Sequence, residues 1–340
     1  MASHRRPKQP SRTRVSVLTA TAAAAVALSA QSANADPKPT KEDVKAQVDK
    51  LYEEAEQATE KYNGAKSRQE KLEKEVGDLQ DKVARGQADL NKLRDGLGSM
   101  ATAQYRSGGI DPSVQLLLSS DPDEYLDKAS ALDQVTSKQA GALKKIGEQT
   151  RTLEQQRAEA TTKLKDLAST RKALGEKKSE IQGKLAKAQQ LLNTLTAKER
   201  AALAEKEERA NRSNERVDLG SDVPESQRAA AALAAAKTKI GAPYVWGATG
   251  PSSFDCSGLT SWAYGQASVQ LDRTSQQQAN NGTRIGQSQL KPGDLVFFYS
   301  DLHHVGLYAG NGQILHAPKP GANVRYESIN NMPFMFGVRV

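Results

Sequence analysis

Cysteine is nearly missing from this chain: Cys256 is the only one among 340 residues, and there are four histidines and two tryptophans. With no partner for Cys256, no disulfide within the chain supports the fold, and the thiol is free, intermolecular or reactive. Long apolar runs are missing too. Beyond residue 35 no stretch is long and apolar enough to span a bilayer. No pair of ligating residues sits at i, i+4 or C-x-x-C spacing, which argues against a metal site; no metal and no cofactor are expected. Acidic residues are absent from residues 1–35, where Arg5, Arg6, Lys8, Arg12 and Arg14 gather. An apolar run from Val15 to Ala30 and the small-residue exit Ala33-Asn34-Ala35 follow, the pattern of a secretory signal peptide cleaved near Ala35. Arg5-Arg6 lies far from the apolar run, so general secretion is favoured over a twin-arginine route. Losing five positive charges and no negative ones takes the formal +8 to near +3, too little to suggest a nucleic-acid partner. No cysteine stands at the cleavage point to carry a lipid. A secreted, cell-wall-associated protein is expected.

What is present divides sharply. Residues 39–210 are rich in Ala, Lys, Glu, Gln and Leu, have almost no aromatics, and repeat in sevens. Val44, Leu51, Ala58, Ala65, Leu72, Leu79, Leu93 and Met100 form a stripe that only Gly86 breaks. Val48, Ala55, Tyr62, Val76, Val83, Leu90 and Leu97 interleave with it, and Ile146, Leu153, Ala160, Leu167, Leu174, Ile181, Ala188 and Leu195 form a second stripe. Threes alternating with fours keep one apolar seam on a long helix, which predicts a coiled coil. Ser107-Gly108-Gly109-Ile110-Asp111-Pro112 interrupts it, so the expectation is an antiparallel hairpin with its tip near residues 106–122. Asp121 would cap the second helix ahead of Pro122. Leu116-Leu117-Leu118 at the tip is either local packing or a partner surface. The charged faces read as solvated flanks. Residues 211–226 read as a linker.

Residues 227–340 have a globular texture. An alanine-rich helix ends near Gly241-Ala242-Pro243, and a short helix begins at Cys256. Strands are expected at Leu295–Tyr299, Val305–Ala309, Gln313–Ala317 and Phe336–Val340, with a tight turn at Gly310-Asn311-Gly312. Helices first and an antiparallel sheet second predict an α+β domain.

Thiolate attack needs a base beside the sulfur and a group that orients the base. Asp255 is placed to cap the helix that Cys256 opens, and a helix start should favour the thiolate. His303 and His304 point to opposite faces of a strand. His304 shares its face with Gly306 and Tyr308; if that face meets the cysteine-bearing helix, His304 is the base. The Gly310-Asn311-Gly312 turn returns His316 alongside His304, as the orienting residue or as a structural histidine.

Pro243-Tyr244-Val245-Trp246-Gly247, Asp255-Cys256-Ser257-Gly258-Leu259, Arg273-Thr274-Ser275, Pro292-Gly293-Asp294-Leu295-Val296-Phe297-Phe298, His304-Val305-Gly306-Leu307-Tyr308 and Ile314-Leu315-His316-Ala317, in that order, resemble the NlpC family of cell-wall cysteine peptidases. The resemblance implies a reduced papain-like α+β fold behind the coiled-coil hairpin. It implies Cys256 as nucleophile, His304 as base, His316 as orienting residue and Tyr244 as an oxyanion donor. Asp255, Ser257, Arg273 and Ser275 fall where relatives line the peptide-stem groove. Asp272 departs from the pattern, since relatives commonly carry proline there. The implied reaction is cleavage of peptidoglycan stem peptides between a D-glutamyl residue and the diamino acid that follows. The hairpin, with Tyr105-Arg106-Ser107-Gly108-Gly109 and Ser119-Ser120-Asp121-Pro122, resembles that of actinobacterial, division-associated wall hydrolases. In those, it docks on an FtsE–FtsX-like membrane complex and restrains the enzyme until docking. Two other readings stay open: an amidase acting on another wall amide, and a non-catalytic adaptor that recruits other hydrolases.

Overall fold

The computed structural model describes residues 39–106, 122–212 and 217–340, together with Val114 and Leu118. The expected signal peptide, Leu116 and Leu117 at the hairpin tip, and the Asp121 cap lie outside the described residues.

Helix α1 (Lys41–Arg106) starts from a reciprocal cap in which the Asp43 N–H donates to the Thr40 hydroxyl and the Thr40 N–H donates to the Asp43 carboxylate. Helix α2 (Pro122–Asn193) runs back along it. The ion pairs Glu54–Lys184, Glu73–Arg171 and Glu75–Lys163 take their partners in opposite order on the two helices, so the hairpin is antiparallel. These pairs are part-exposed, screened by water, and add little to the association. The seam decides the association. Val44, Val48, Leu72, Val76, Leu79 and Leu90 are buried, opposite Leu153, Leu167, Ile181 and Ala188, and each large side chain contributes about 1.5–3 kcal/mol on burial. Gly86 interrupts the stripe because a β-carbon there would stand 3.3 Å from the side chains of both Gln149 and Leu153.

The periodicity predicts helix as far as residue 210, but the chain turns after Asn193 and restarts as α3 (Ala197–Arg212). Thr196 and Glu199 form a second reciprocal cap there. The restart lets α3 reach the C-terminal domain.

That domain opens with α4 (Gln227–Lys237), capped by Ser226. Helix α5 (Cys256–Gln266) and the short α6 (Ser275–Gln278) precede the sheet. Its strands are β1 (Thr283–Ile285), β2 (Leu295–Phe298), β3 (His304–Gly310), β4 (Gln313–His316), β5 (Arg325–Ser328) and β6 (Phe334–Arg339). They are arranged in the order β1-β6-β2-β3-β4-β5, with every pair antiparallel. The molecule is thus α+β, with long helices ahead of an antiparallel sheet. Two strands have no counterpart in the sequence reading: β1 is a three-residue edge, and Arg325-Tyr326-Glu327-Ser328 lacks an apolar alternation. The β3–β4 turn uses left-handed backbone at Gly310, Asn311 and Gly312, as that tripeptide predicts.

Leu259 and Ala263 of α5 join Val305, Leu307 and Ala309 in one core, while Val296, Phe298, Tyr308 and Ile314 form a second. This corrects one premise. The helix lies on the Val305 face of β3, not on the face of Gly306 and Tyr308. His304 meets the sulfur because Cys256 sits at the very start of α5, beside the first residue of β3.

Candidate active site

Asp255 caps α5, its carboxylate accepting from the Gly258 N–H at 2.6 Å. This fixes Cys256 in the first turn, where backbone N–H groups lack intrahelical acceptors. The sulfur lies 3.6 Å from the His303 carbonyl and within 4.8 Å of a His304 ring nitrogen. His304 Nε2 is 2.7 Å from His316 Nδ1, with the rings edge-on. Cys256, His304 and His316 therefore form one buried line. His303 turns aside, stacking on Tyr299 and pairing with Asp301. Tyr244 is also buried in this site: burial, then Glu56 and Cys256, push its phenol well above the usual tyrosine range.

The four predicted groove residues converge. Arg273 pairs with the Asp255 carboxylate at 2.6 Å and donates to the Ser257 hydroxyl at 2.9 Å. Ser257 and Ser275 stand beside one another around a shared acceptor. That acceptor is a residue of the hairpin, Glu60. Its carboxylate receives the Ser257 hydroxyl at 2.8 Å and the Ser275 N–H at 2.6 Å, with the Ser275 hydroxyl at 3.0 Å. One helical turn earlier, the Glu56 carboxylate lies 2.5 Å from His304 Nδ1. Asn63 donates to Asp255 at 2.9 Å, and Tyr62 packs edge-on against Trp246. Glu56, Glu60 and Asn63 follow i, i+4, i+7 spacing, so one face of α1 fills the cleft at Cys256. The charged flanks were expected to be solvated; at these positions they are buried.

The electrostatics follow. Burial, then Glu56, Glu60 and Asp255, raise the Cys256 thiol well above the usual range. The helix start was expected to favour the thiolate; in this closed arrangement burial, with the carboxylates of α1 and Asp255, overrides it. Burial opposes a charged His304, but Glu56 outweighs burial and leaves its pKa above the ordinary value. Burial and Asp255 push Glu60 up to about 7. Burial takes His316 down to about 4 against the pull of Glu327.

Glu56, Cys256 and His304 offer three metal-ligand atoms close together. Glu56 and His304 are already in hydrogen-bond contact at 2.5 Å. Ligands on one zinc ion, with bonds of about 2.0–2.3 Å, would sit roughly 3.3 Å apart. The contact is a charge-assisted hydrogen bond, not metal spacing. A cavity of about 900 Å³ opens elsewhere, among Tyr52, Leu203, Glu207, Lys319 and Arg325. Asp272 holds its loop with groups that proline lacks or cannot supply: its N–H and carboxylate both bond Asn281.

Glu56, Glu60 and Asn63 were missed by sequence reasoning. Their signal is faint: an acid–acid–amide face beside an apolar seam looks like any solvated coiled-coil flank until its partner is known.

A cysteine at a helix start, facing a histidine pair on an antiparallel sheet, defines a thiol-nucleophile domain. Residues 241–336 match the model of the NlpC/P60 family. The C-terminal part of this chain is an NlpC/P60 family domain. A Corynebacterium glutamicum protein named as a probable endopeptidase is 50% identical over 124 residues, which are 35% of this chain and 59% of that protein. The probable endopeptidase p60 of Listeria monocytogenes is 47% identical over 100 residues, 29% of this chain and 20% of that one. The chain thus spans little more than half of the first relative and a fifth of the second. The crystal structure of the NlpC/p60 domain of the peptidoglycan hydrolase SagA is 41% identical, covering 33% of this chain and 98% of that one, with a TM-score of 0.32.

Proposed function

We propose that this protein is a secreted peptidoglycan endopeptidase that uses Cys256 as nucleophile and is held latent by the first turns of its own hairpin. The observation that carries the proposal is the buried line Cys256–His304–His316 with Glu56 and Glu60 of α1 seated on it. The family match and relatives named as endopeptidases support the reaction class. The substrate follows from the family resemblance: a stem peptide cut between D-glutamyl and the following diamino acid.

With α1 withdrawn, His304 Nδ1 takes the thiol proton and the thiolate attacks the scissile carbonyl carbon. The oxyanion draws on the Cys256 N–H, which has no intrahelical acceptor, and on the Tyr244 hydroxyl. Collapse breaks the C–N bond, His304 gives its proton to the departing amine, and the acyl group stays on sulfur. Water, deprotonated by His304, then cleaves the thioester and restores the thiol.

With α1 seated, none of this proceeds. His304 Nδ1 already donates to Glu56, the thiol is held protonated, and Glu60 occupies the serine pair. A buried carboxylate costs several kcal/mol in lost hydration. Charge-assisted hydrogen bonds worth about 1.5–3 kcal/mol each offset that cost here. The balance is close enough for a partner to tip. A membrane complex of the FtsE–FtsX kind, engaged by the distal hairpin during cell division, is the partner we propose.

Digestion of muropeptides, read by mass spectrometry, tests the reading. The chain carrying Glu56→Ala and Glu60→Ala should release D-glutamyl-ended fragments, and adding Cys256→Ala should stop it. Other fragments would move the bond to a different wall amide. No cleavage by any variant would favour the adaptor reading.

A further inference from the structure

The line of side chains does not end at His316. Its Nε2 lies 3.2 Å from a carboxylate oxygen of Glu327, on the neighbouring strand β5. Arg325, two residues earlier on β5 and paired with His316 in the strand register, reaches the same Glu327 oxygen at 3.3 Å. Asn331 donates to the other oxygen at 3.0 Å. Neither the reaction outlined above nor the family resemblance uses Glu327.

The need for such a group follows from counting protons. A neutral imidazole carries one N–H, and the partner of one nitrogen decides which nitrogen holds it. For His304 to accept the thiol proton on Nδ1, its own proton must be on Nε2. Nε2 faces His316 Nδ1 at 2.7 Å, so His316 must accept there and carry its proton on Nε2. Only an acceptor placed at His316 Nε2 enforces that choice. Without one, the alternative tautomer sets two N–H groups against each other.

We propose that Glu327 is a positioning residue: its carboxylate holds His316 in the Nε2–H tautomer and so keeps His304 Nδ1 free for the Cys256 proton. This rests on Cys256 and His304 being nucleophile and base. The ionisation states agree. His316, at about 4, is neutral near pH 7. Burial works to raise Glu327, but the His316 contact and Arg325 hold it far below the usual carboxylate range. The pair is a neutral imidazole donating to a carboxylate, with Arg325 supplying the cation. The other charged groups facing this line are Glu56 and Glu60 of α1, which act on His304, and Glu207 of α3, which pairs with Arg325 at 2.6 Å.

Two substitutions separate acceptor from charge. Gln at 327 keeps an oxygen for His316 and can turn its amide toward Asn331; Ala keeps neither oxygen nor charge. In the full chain opened by Glu56→Ala and Glu60→Ala and labelled with ¹⁵N-histidine, where His304 Nδ1 no longer donates to Glu56, His316 should show Nε2–H with unprotonated Nδ1 both with Glu327 and with Glu327→Gln. Glu327→Ala should mix or reverse the tautomers. In the chain opened by Glu56→Ala and Glu60→Ala, Glu327→Ala should lower kcat about tenfold to hundredfold, with KM nearly unchanged, while Glu327→Gln stays within about threefold. Both substitutions remove a charge that favours protonated His304, so both should move the alkaline limb of the pH profile to lower pH. A role confined to holding β5 would leave the tautomer unmoved. An unchanged His316 tautomer in Glu327→Ala overturns the proposal. So does unchanged kcat. If the opened chain cleaves nothing, the functional reading fails, while the tautomer spectra still decide the role of Glu327.

Discussion

The two ends of α1 are built from the same residue types and bury different things. From Leu72 outward the helix buries only its seam, through Leu72, Val76, Leu79 and Leu90. From Val44 to Asn63 it buries the seam and a second, polar face: Glu56, Thr59, Glu60 and Asn63. Burial of unpaired acidic side chains is costly, so a polar face goes under only where a prepared set of donors receives it. The distal half is a rod. The proximal half is a rod that also fills the cleft at Cys256.

The largest effect tests the domain that receives this polar face. A β-carbon at Gly258 would stand 2.1 Å from the Ala248 carbonyl oxygen, whereas at Gly77 in the rod it would meet nothing within 4 Å. Gly258→Ala should cost about 3 kcal/mol or more, because backbone must move. Gly77→Ala should stabilise the helix by up to about 1 kcal/mol. Calorimetry of the two variants, with the unfolding transitions of rod and domain followed separately, checks both signs.

Next in size comes the contrast within α1. Glu56→Ala with Glu60→Ala should raise muropeptide cleavage tenfold or more, since the changes strip the charge-assisted Glu56–His304 contact, worth about 1.5–3 kcal/mol, and the Glu60 bonds to the serine pair. Glu73→Ala breaks only an exposed pair with Arg171 and should leave the rate within about twofold. Equal effects from the two ends would erase the distinction.

Much of the second region was legible in sequence. The cap at Asp255, the tight turn at Gly310-Asn311-Gly312 and the pairing of His304 with His316 all depend on local rules, and the residues state them. The proximal face of α1 did not depend on such rules. Heptad periodicity reports which face meets a partner helix, and it is silent about a second partner 190 or so positions away, as Asn63 and Asp255 are. Strand β5 was illegible for a related reason. Its Arg325 and Glu327 serve an ion network with α3 and His316, so its pattern follows those partners and not the alternation of an amphipathic strand.

A smaller effect sharpens the comparison through pH. Glu60 closes with a pKa near 7 against an ordinary 4.5, so its preference for the closed state is complete below about 4.5 and is lost as pH rises through 7. His304, also raised in the closed state, gives the same sign. Latency should weaken with rising pH, by at most about tenfold per unit for each proton released. Glu60→Gln imitates the protonated carboxyl and should stay latent across that range. The ratio of wild-type to Glu60→Gln cleavage, taken at each pH, isolates Glu60; a flat ratio would remove it from the latch.

Because the chain has one cysteine, the state of the latch can be read without any substrate. Intact-mass measurement of iodoacetamide addition follows Cys256 alone. If α1 covers and protonates the thiol, the wild-type chain alkylates at least tenfold more slowly than Glu56→Ala with Glu60→Ala, while Glu73→Ala matches wild type. Equal, fast alkylation of all three would mean that α1 does not hold the nucleophile in solution.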